Sequence, residues 1–190
     1  MLRKRFLFLL IVASVGFGLL WIEDYTTQST QENGEGIAVL PDYYGEGLKN
    51  RTFNENGALE HQFNAQRSVH FPTQRFTELT QPKIKIIAED GDAWIIQSLS
   101  GIHFEDTEKL VLQQDVKISP AASFELSNTE DSAIIRTSKL TLFIQSKIAK
   151  TDQPVEVISL HGHIDAVGMI INMDQQRVEF LSQVKAKYVP

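Results

Sequence analysis

The ten residues "KLVLQQDVKI" at 109–118 govern how the rest of the chain is read. An apolar stretch, a polar break, then a branched residue followed by a charged one describe a strand interrupted in its middle. The unit returns as "EVISLHGHID" at 156–165 and as "RVEFLSQVKA" at 177–186. In the last copy Val178, Phe180, Ser182, Val184, Ala186 and Tyr188 fall on one face of an extended chain. Glu179, Gln183, Lys185 and Lys187 fall on the other, with Leu181 as the outward exception. The copies are unevenly spaced, so no periodic solenoid is expected. Successive antiparallel strands folding into a stacked, open sheet with an apolar interior are.

Other segments agree. In "TFNENGALEHQF" the pair Asn56-Gly57 separates two part-apolar stretches, a hairpin signal. His61, Phe63 and Ala65 share one face of its second strand. "KIKIIAEDGDAWII" predicts a second hairpin, with its turn at 89–92. Strands are expected to open at Ala93, Ala133 and Ala166, each followed by a turn and a copy of the repeated unit. Helical periodicity is weak after residue 24, and Pro72, Pro82, Pro120 and Pro154 would break candidate helices. The stretch 68–82 has room for one helical turn. A turn is expected at 119–123, and 119–132 and 145–155 read as loops.

The N-terminus is "MLRKRFLFLLIVASVGFGLLWIED". Arg3, Lys4 and Arg5 precede 17 uncharged residues, 6–22, and Glu23 and Asp24 end the run. As a helix this run would span about 26 Å, near the lower limit for a bilayer. The basic start places the N-terminus in the cytoplasm and the remainder outside. A cleaved signal peptide is the alternative, with small residues near 14–18, but "LLWI" continues the apolar run beyond them. The expected organisation is a cytoplasmic start and membrane anchor at 1–24, a flexible stalk at 25–40, and a β domain at 41–190.

The 190-residue chain has 42% hydrophobic residues, enough for one ordinary core. Its formal charge of −6 argues against nucleic-acid binding. It contains no cysteine, which removes disulfides, thiol nucleophiles and cysteine-bound zinc together. The sharpest chemical candidate is "HGHID", where His161, His163 and Asp165 alternate along an extended chain and could share a metal. A solvated polar face beside a glycine bulge is the preferred reading, because water could satisfy all three and the sequence marks no fourth ligand. There is no G-x-S-x-G elbow, no phosphate loop, and the carboxylate pairs Glu89/Asp90 and Glu130/Asp131 sit in turn-like contexts. A non-enzyme without cofactor or metal is expected.

A resemblance then carries the reading further. The basic start and span, "PDYYGEG" at 41–47, "NENGAL" at 54–59, "LTQPKI" at 79–84, Trp94 opening a strand, "LHG" at 160–162, "GM" at 168–169, and a last strand with Val184 and Tyr188 occur in that order. Together they resemble the LptC family of lipopolysaccharide export proteins over nearly the whole chain. That resemblance implies a twisted, open β-jellyroll of antiparallel strands, held at the inner membrane by one N-terminal transmembrane helix and lying in the periplasm. It implies that an apolar groove accepts lipopolysaccharide from an inner-membrane ABC transporter of LptB/LptF/LptG type. The C-terminal edge strand would pass the lipid to a periplasmic LptA-like protein, and a homodimer is conceivable. The groove-lining residues expected are Leu48, Phe53, Leu59, Phe63, Leu79, Trp94, Ile96, Leu112, Phe143, Val178 and Phe180. The partner contacts expected are Gly162, Val178, Phe180, Val184 and Tyr188, with Gly162 and Gly168 as backbone sites. Two rivals stand beside this reading: an anchored adaptor that never holds lipid, and a metal-dependent envelope enzyme using His161, His163 and Asp165.

Overall fold

The computed structural model describes residues 40–121 and 133–188. The expected membrane span and the stalk up to residue 39 lie outside the described residues, as does most of the expected loop at 119–132. Among the described residues no helix is long and apolar enough to cross a membrane.

The domain is all-β and antiparallel. Its strands are β1 (Tyr43–Phe53), β2 (Leu59–Phe71), β3 (Phe76–Thr80), β4 (Lys83–Ile87), β5 (Ala93–Gln97), β6 (Ser100–Phe104), β7 (Lys109–Pro120), β8 (Ile134–Phe143), β9 (Ile148–Ser159), β10 (Gly162–Asn172) and β11 (Arg177–Tyr188). One 3-10 turn, Glu105–Thr107, joins β6 to β7. The strands form a single sheet from β11 through β10, β9, β8, β7, β5, β4 and β2 to β1. Strands β3 and β6 also bridge β2 to β7, pairing with the halves that β4 and β5 leave free.

Turn chemistry explains the hairpins. The side-chain oxygen of Asn54 accepts hydrogen bonds from the backbone N–H of Asn56 (3.0 Å) and of Ala58 (2.9 Å). Gly57 takes φ +77° and Gly91 φ +92°, which a side chain would resist. The stretch 68–82 forms a β-hairpin instead of a helical turn. Phe71 and Phe76 stack at 4.9 Å across its mouth, and this cross-strand contact prevails over local propensity.

The repeated unit divides into two structures. In β7 and β11 the polar break is a bulge, with Gln114, Asp115 and Gln183 at φ 65°, 51° and 52°. In "EVISLHGHID" it is a hairpin, where β9 ends at Ser159 and β10 starts at Gly162. Ala166 therefore lies mid-strand, and 148–155 belongs to a strand, because the ladder to β8 extends through it. Pro154 fits there because it falls at irregularities in both neighbouring ladders.

Such irregularities cross the sheet as a line. They include Gly47 in β1, Gln81 between β3 and β4, Leu99 between β5 and β6, Gln114 and Asp115 in β7, residues 138–140 in β8, 151–154 in β9, Gly168 in β10 and Gln183 in β11. Carbonyls left without ladder partners are satisfied locally. Thr137 Oγ1 donates to Pro154 O at 2.9 Å, and Thr151 Oγ1 to Lys139 O at 2.6 Å.

On each side of the line a rung of directly opposed residues runs from edge to edge on one face. One is Tyr43, His70, Thr77, His103, Leu110, Leu142, Ala149, Ile171 and Val178. The other is Asn50, Phe63, Ile84, Ile96, Ile118, Ile135, Val157, Ile164 and Ala186. Members of both rungs belong to one buried cluster. The sheet has therefore turned its apolar face onto itself. Distant turns hold the fold shut: Asp174 Oδ1 accepts from the Glu89 N–H at 3.1 Å and from Lys147 Nζ at 3.1 Å, and Gln176 donates to Asp90 and Asp92.

Gly168 tests the bend. It sits at φ +78°, and a Cβ there would meet Leu181 Cδ1 at 2.9 Å, which also explains why Leu181 faces outward. Gly168→Val should lower stability by about 2 kcal/mol or more, read from chemical denaturation. Adding Leu181→Ala should recover only part of the steric cost, because Leu181 Cβ itself lies 3.1 Å from that position, and should leave the backbone strain.

Candidate functional site

Where the first rung turns polar, the two sides of the sheet stay apart. They leave a cavity of about 580 Å³ beneath β1. Its apolar lining is Leu48 of β1 itself together with Phe63, Leu79, Ile84, Leu110 and Ile144. Glu60, Glu105 and Glu108 line it with His61 and His103, and no lysine or arginine does. Chemically it suits apolar chains on the inside and offers no cation to a phosphate.

The expected groove residues separate into groups. Leu48, Phe63 and Leu79 line the cavity. Trp94, Ile96 and Leu112 are closed into the core beyond it, Ile96 and Leu112 with no exposed surface. Val178 and Phe180 are half-buried against that core from β11, opposite Ile171 and Met169. Phe53 is 56% exposed and faces Leu59 at the end of the first hairpin. Phe143 points away from the side that Leu142 faces, with Lys150 Nζ 5.9 Å above its ring.

At the other end β11 pairs only with β10 among the described residues, so its outer edge is free. Past Gln183 its core-side residues lose their cover: Val184 is 52% and Tyr188 77% exposed. Gly162 lies opposite Tyr188, and a Cβ there would run into the Lys187 carbonyl oxygen. The expected partner residues thus lie along one strand and its neighbour. In "HGHID", His161 occupies the β9–β10 turn, so it does not share a strand face with the other two. His163 Nε2 lies 3.1 Å from Asp165 Oδ1 and 3.8 Å from Glu156 Oε1, a polar cluster at the surface. Among the described residues no three ligand-type side chains converge as a metal site would need.

Sequence reasoning missed Tyr43, His61, Ile84, His103, Glu105, Leu110 and Ile144 as lining residues. Ile84 and Leu110 carry a period-2 signal that was legible. The polar members carry none, because only the cross-strand register brings them together.

His70 anchors the cavity's rim. Its Nδ1 lies 2.6 Å from Asp42 Oδ1, its Nε2 lies 2.7 Å from Glu105 Oε1, and Tyr43 stacks on the ring at 4.6 Å. The hydrogen bond that His70 donates to Asp42 leads in holding the imidazole above its ordinary value of 6.5, with Glu105 adding to it. Burial pushes His103 below 6.5.

A sheet that turns its apolar face inward around a cavity makes an all-β scaffold with a partly enclosed apolar site. The family model described as "Lipopolysaccharide-assembly, LptC-related" matches residues 6–189, and the chain belongs to the LptC family. It is accordingly an envelope protein and a component of lipopolysaccharide transport. No curated protein matches the chain.

The two histidines should titrate on opposite sides of 6.5 in a histidine-selective NMR titration. Asp42→Asn should bring His70 down toward its ordinary value and leave His103 unmoved.

Proposed function

We propose that this chain is the inner-membrane-anchored acceptor that takes lipopolysaccharide from an ABC transporter of LptB/LptF/LptG type. Residues 6–22 supply the apolar run for a single span with a cytoplasmic start, residues 25–40 the stalk, and 41–190 a periplasmic open jellyroll. Acyl chains enter the cavity, and the lipid leaves toward an LptA-like protein that adds to the free β11 edge. The carrying observation is that one apolar face extends from the cavity under β1 to uncovered Val184 and Tyr188 on β11. Apolar surface removed from water gives about 25 cal/mol per Å², so the groove shields acyl chains without covalent chemistry. A free edge strand offers backbone groups for strand addition.

One observation favours the adaptor reading instead. Ile96, Leu112 and Leu142 fill the middle of the fold with no exposed surface, so lipid passage requires the two sides to part.

Photo-crosslinking residues at Leu79 and Phe180, on the core side, and at Glu179, on the other side, separate the two readings in living cells. Lipopolysaccharide adducts at Leu79 and Phe180 but not at Glu179 are expected. Protein adducts alone would leave the adaptor.

A further inference from the structure

Tyr43, at the start of β1, lines the cavity, and the short segment it opens is laddered to β2 alone among the described residues. Strand β1 pairs only with β2 among the described residues, so its other edge is free. Tyr44 is 73% and Tyr43 53% exposed, and Gly47 at φ +65° separates this short segment from the rest of the strand. Apart from its ladder to β2 and a long hydrogen bond from Ser68 Oγ to the Gly45 carbonyl oxygen (3.5 Å), the segment is fixed at its tip. There the Asp42 N–H donates to His70 O at 3.2 Å, Tyr43 lies flat on the imidazole, and Asp42 Oδ1 meets Nδ1. The other ring nitrogen reaches across Thr77 to Glu105, on the 3-10 turn after β6. Tyr43, Thr77 and Glu105 all line the cavity. One imidazole, 11% exposed, thus joins this segment to the opposite wall through two carboxylates that are 45% and 37% exposed.

We propose that residues 42–46 are a lid over the cavity, hinged at Gly47, and that the Asp42–His70–Glu105 strap latches it in a pH-dependent way. Both imidazole nitrogens can donate to carboxylates only when the ring carries two protons. A neutral ring must give up one of the two contacts. The charged and titratable groups facing His70 are Asp42 and Tyr43 from the β1 side, Glu105 from the turn, and His103 beyond Thr77 on β6; Asp106 is engaged by Arg75 at 2.8 Å. Lysine and arginine are absent from the cavity lining, so no cation there replaces the imidazolium. With the folded value raised above 6.5, the latch is complete below 6.5 and is lost as pH rises through the raised value. The lid is a property of the cavity alone. Its meaning as a gate for acyl chains rests on the function proposed above.

Because the chain has no cysteine, a single introduced thiol reports the lid without background. Ser68 is 4% exposed, lines the cavity and lies opposite Gly45 of the lid. The full chain in neutral-lipid nanodiscs would carry Ser68→Cys. Its alkylation rate would be divided by that of Gln74→Cys in the exposed β2–β3 turn, which corrects for an exposed thiol's pH dependence; burial raises the Ser68→Cys thiol above the ordinary value of about 8.5, and that contribution is told from the latch because it does not move in Asp42→Asn or Glu105→Gln. The ratio should rise about tenfold or more between pH 6 and pH 9, with a midpoint above 6.5. It should be high and flat in His70→Gln, and Asp42→Asn and Glu105→Gln should move the midpoint downward. Each variant is checked for cooperative thermal unfolding; should His70→Gln fail to fold, the midpoints of the two carboxamide variants decide. A ratio that stays low across the range, or an unchanged midpoint in both carboxamide variants, overturns the latch. Neither result touches the lipid reading, which stands or falls on the crosslinks at Leu79 and Phe180.

Discussion

The fold answers one constraint: a sheet of eleven strands has a single apolar face and, among the described residues, no other element to cover it. Among the described residues there is no helix to lay across that face. The sheet must therefore turn over on itself, and the line of bulges from Gly47 to Gln183 is where it does so. Bulges sharpen local twist and re-aim the residues beyond them. The rung through Ile84, Ile96, Ile118 and Ile135 can then pack against that through Leu110, Leu142 and Ile171. Each fully buried aliphatic side chain contributes about 1.5–3 kcal/mol. The ion pairs at the surface contribute far less, about 0–1 kcal/mol each. The turn contacts around Asp174 therefore fix where the two sides meet; they do not supply the energy that brings them together.

A sheet that turns over but does not close keeps two edges. Those edges and the cavity are the same consequence seen from different sides. On β1 and β2 the first rung is Tyr43 and His70, and it stays polar through Thr77 and His103, so the two sides stand apart and leave space. On β11 the second rung ends at Ala186 beside exposed Val184 and Tyr188, so the apolar face continues to the margin. Lys49 and Arg51 on β1, and Lys185 and Lys187 on β11, charge both margins, which discourages indiscriminate strand addition. The cavity's lining carries carboxylates and neither lysine nor arginine, so it offers apolar surface within and no fixed cation to an anionic head group. On the function proposed above, that combination suits a carrier that must release what it binds.

How much of this was legible can be judged residue by residue. Period-2 alternation in "RVEFLSQVKA" was enough to place Val178 and Phe180 on one face, and Asn-Gly and "EDGD" were enough to place two hairpins, while the alternation in "KIKII" that marks Ile84 and Ile86 went unread. The break in "KLVLQQDVKI" and the break in "EVISLHGHID" look alike in sequence, yet one is a bulge and the other a chain reversal. Nothing local separates them; the ladder with β8 keeps β7 running, and the ladder with β10 turns β9 back. His70 gave no signal at all. Asp42 and Glu105 lie 28 and 35 residues from it in the chain, and only the β1–β2 and β3–β6 pairings bring them to its two nitrogens.

The sequence by itself determined that the protein is a cysteine-free, all-β chain behind an apolar N-terminal run, with one apolar face per strand and no catalytic grouping. It also carried the resemblance that the LptC family match makes firm. Those properties follow from composition and from period-2 patterning, which are local. Tertiary structure alone decided which apolar residues close into a core and which line a cavity. It likewise decided where the sheet turns over and which carboxylates meet a histidine, because each depends on register between strands far apart in the chain. A shift of one residue would send every one of those side chains to the opposite face.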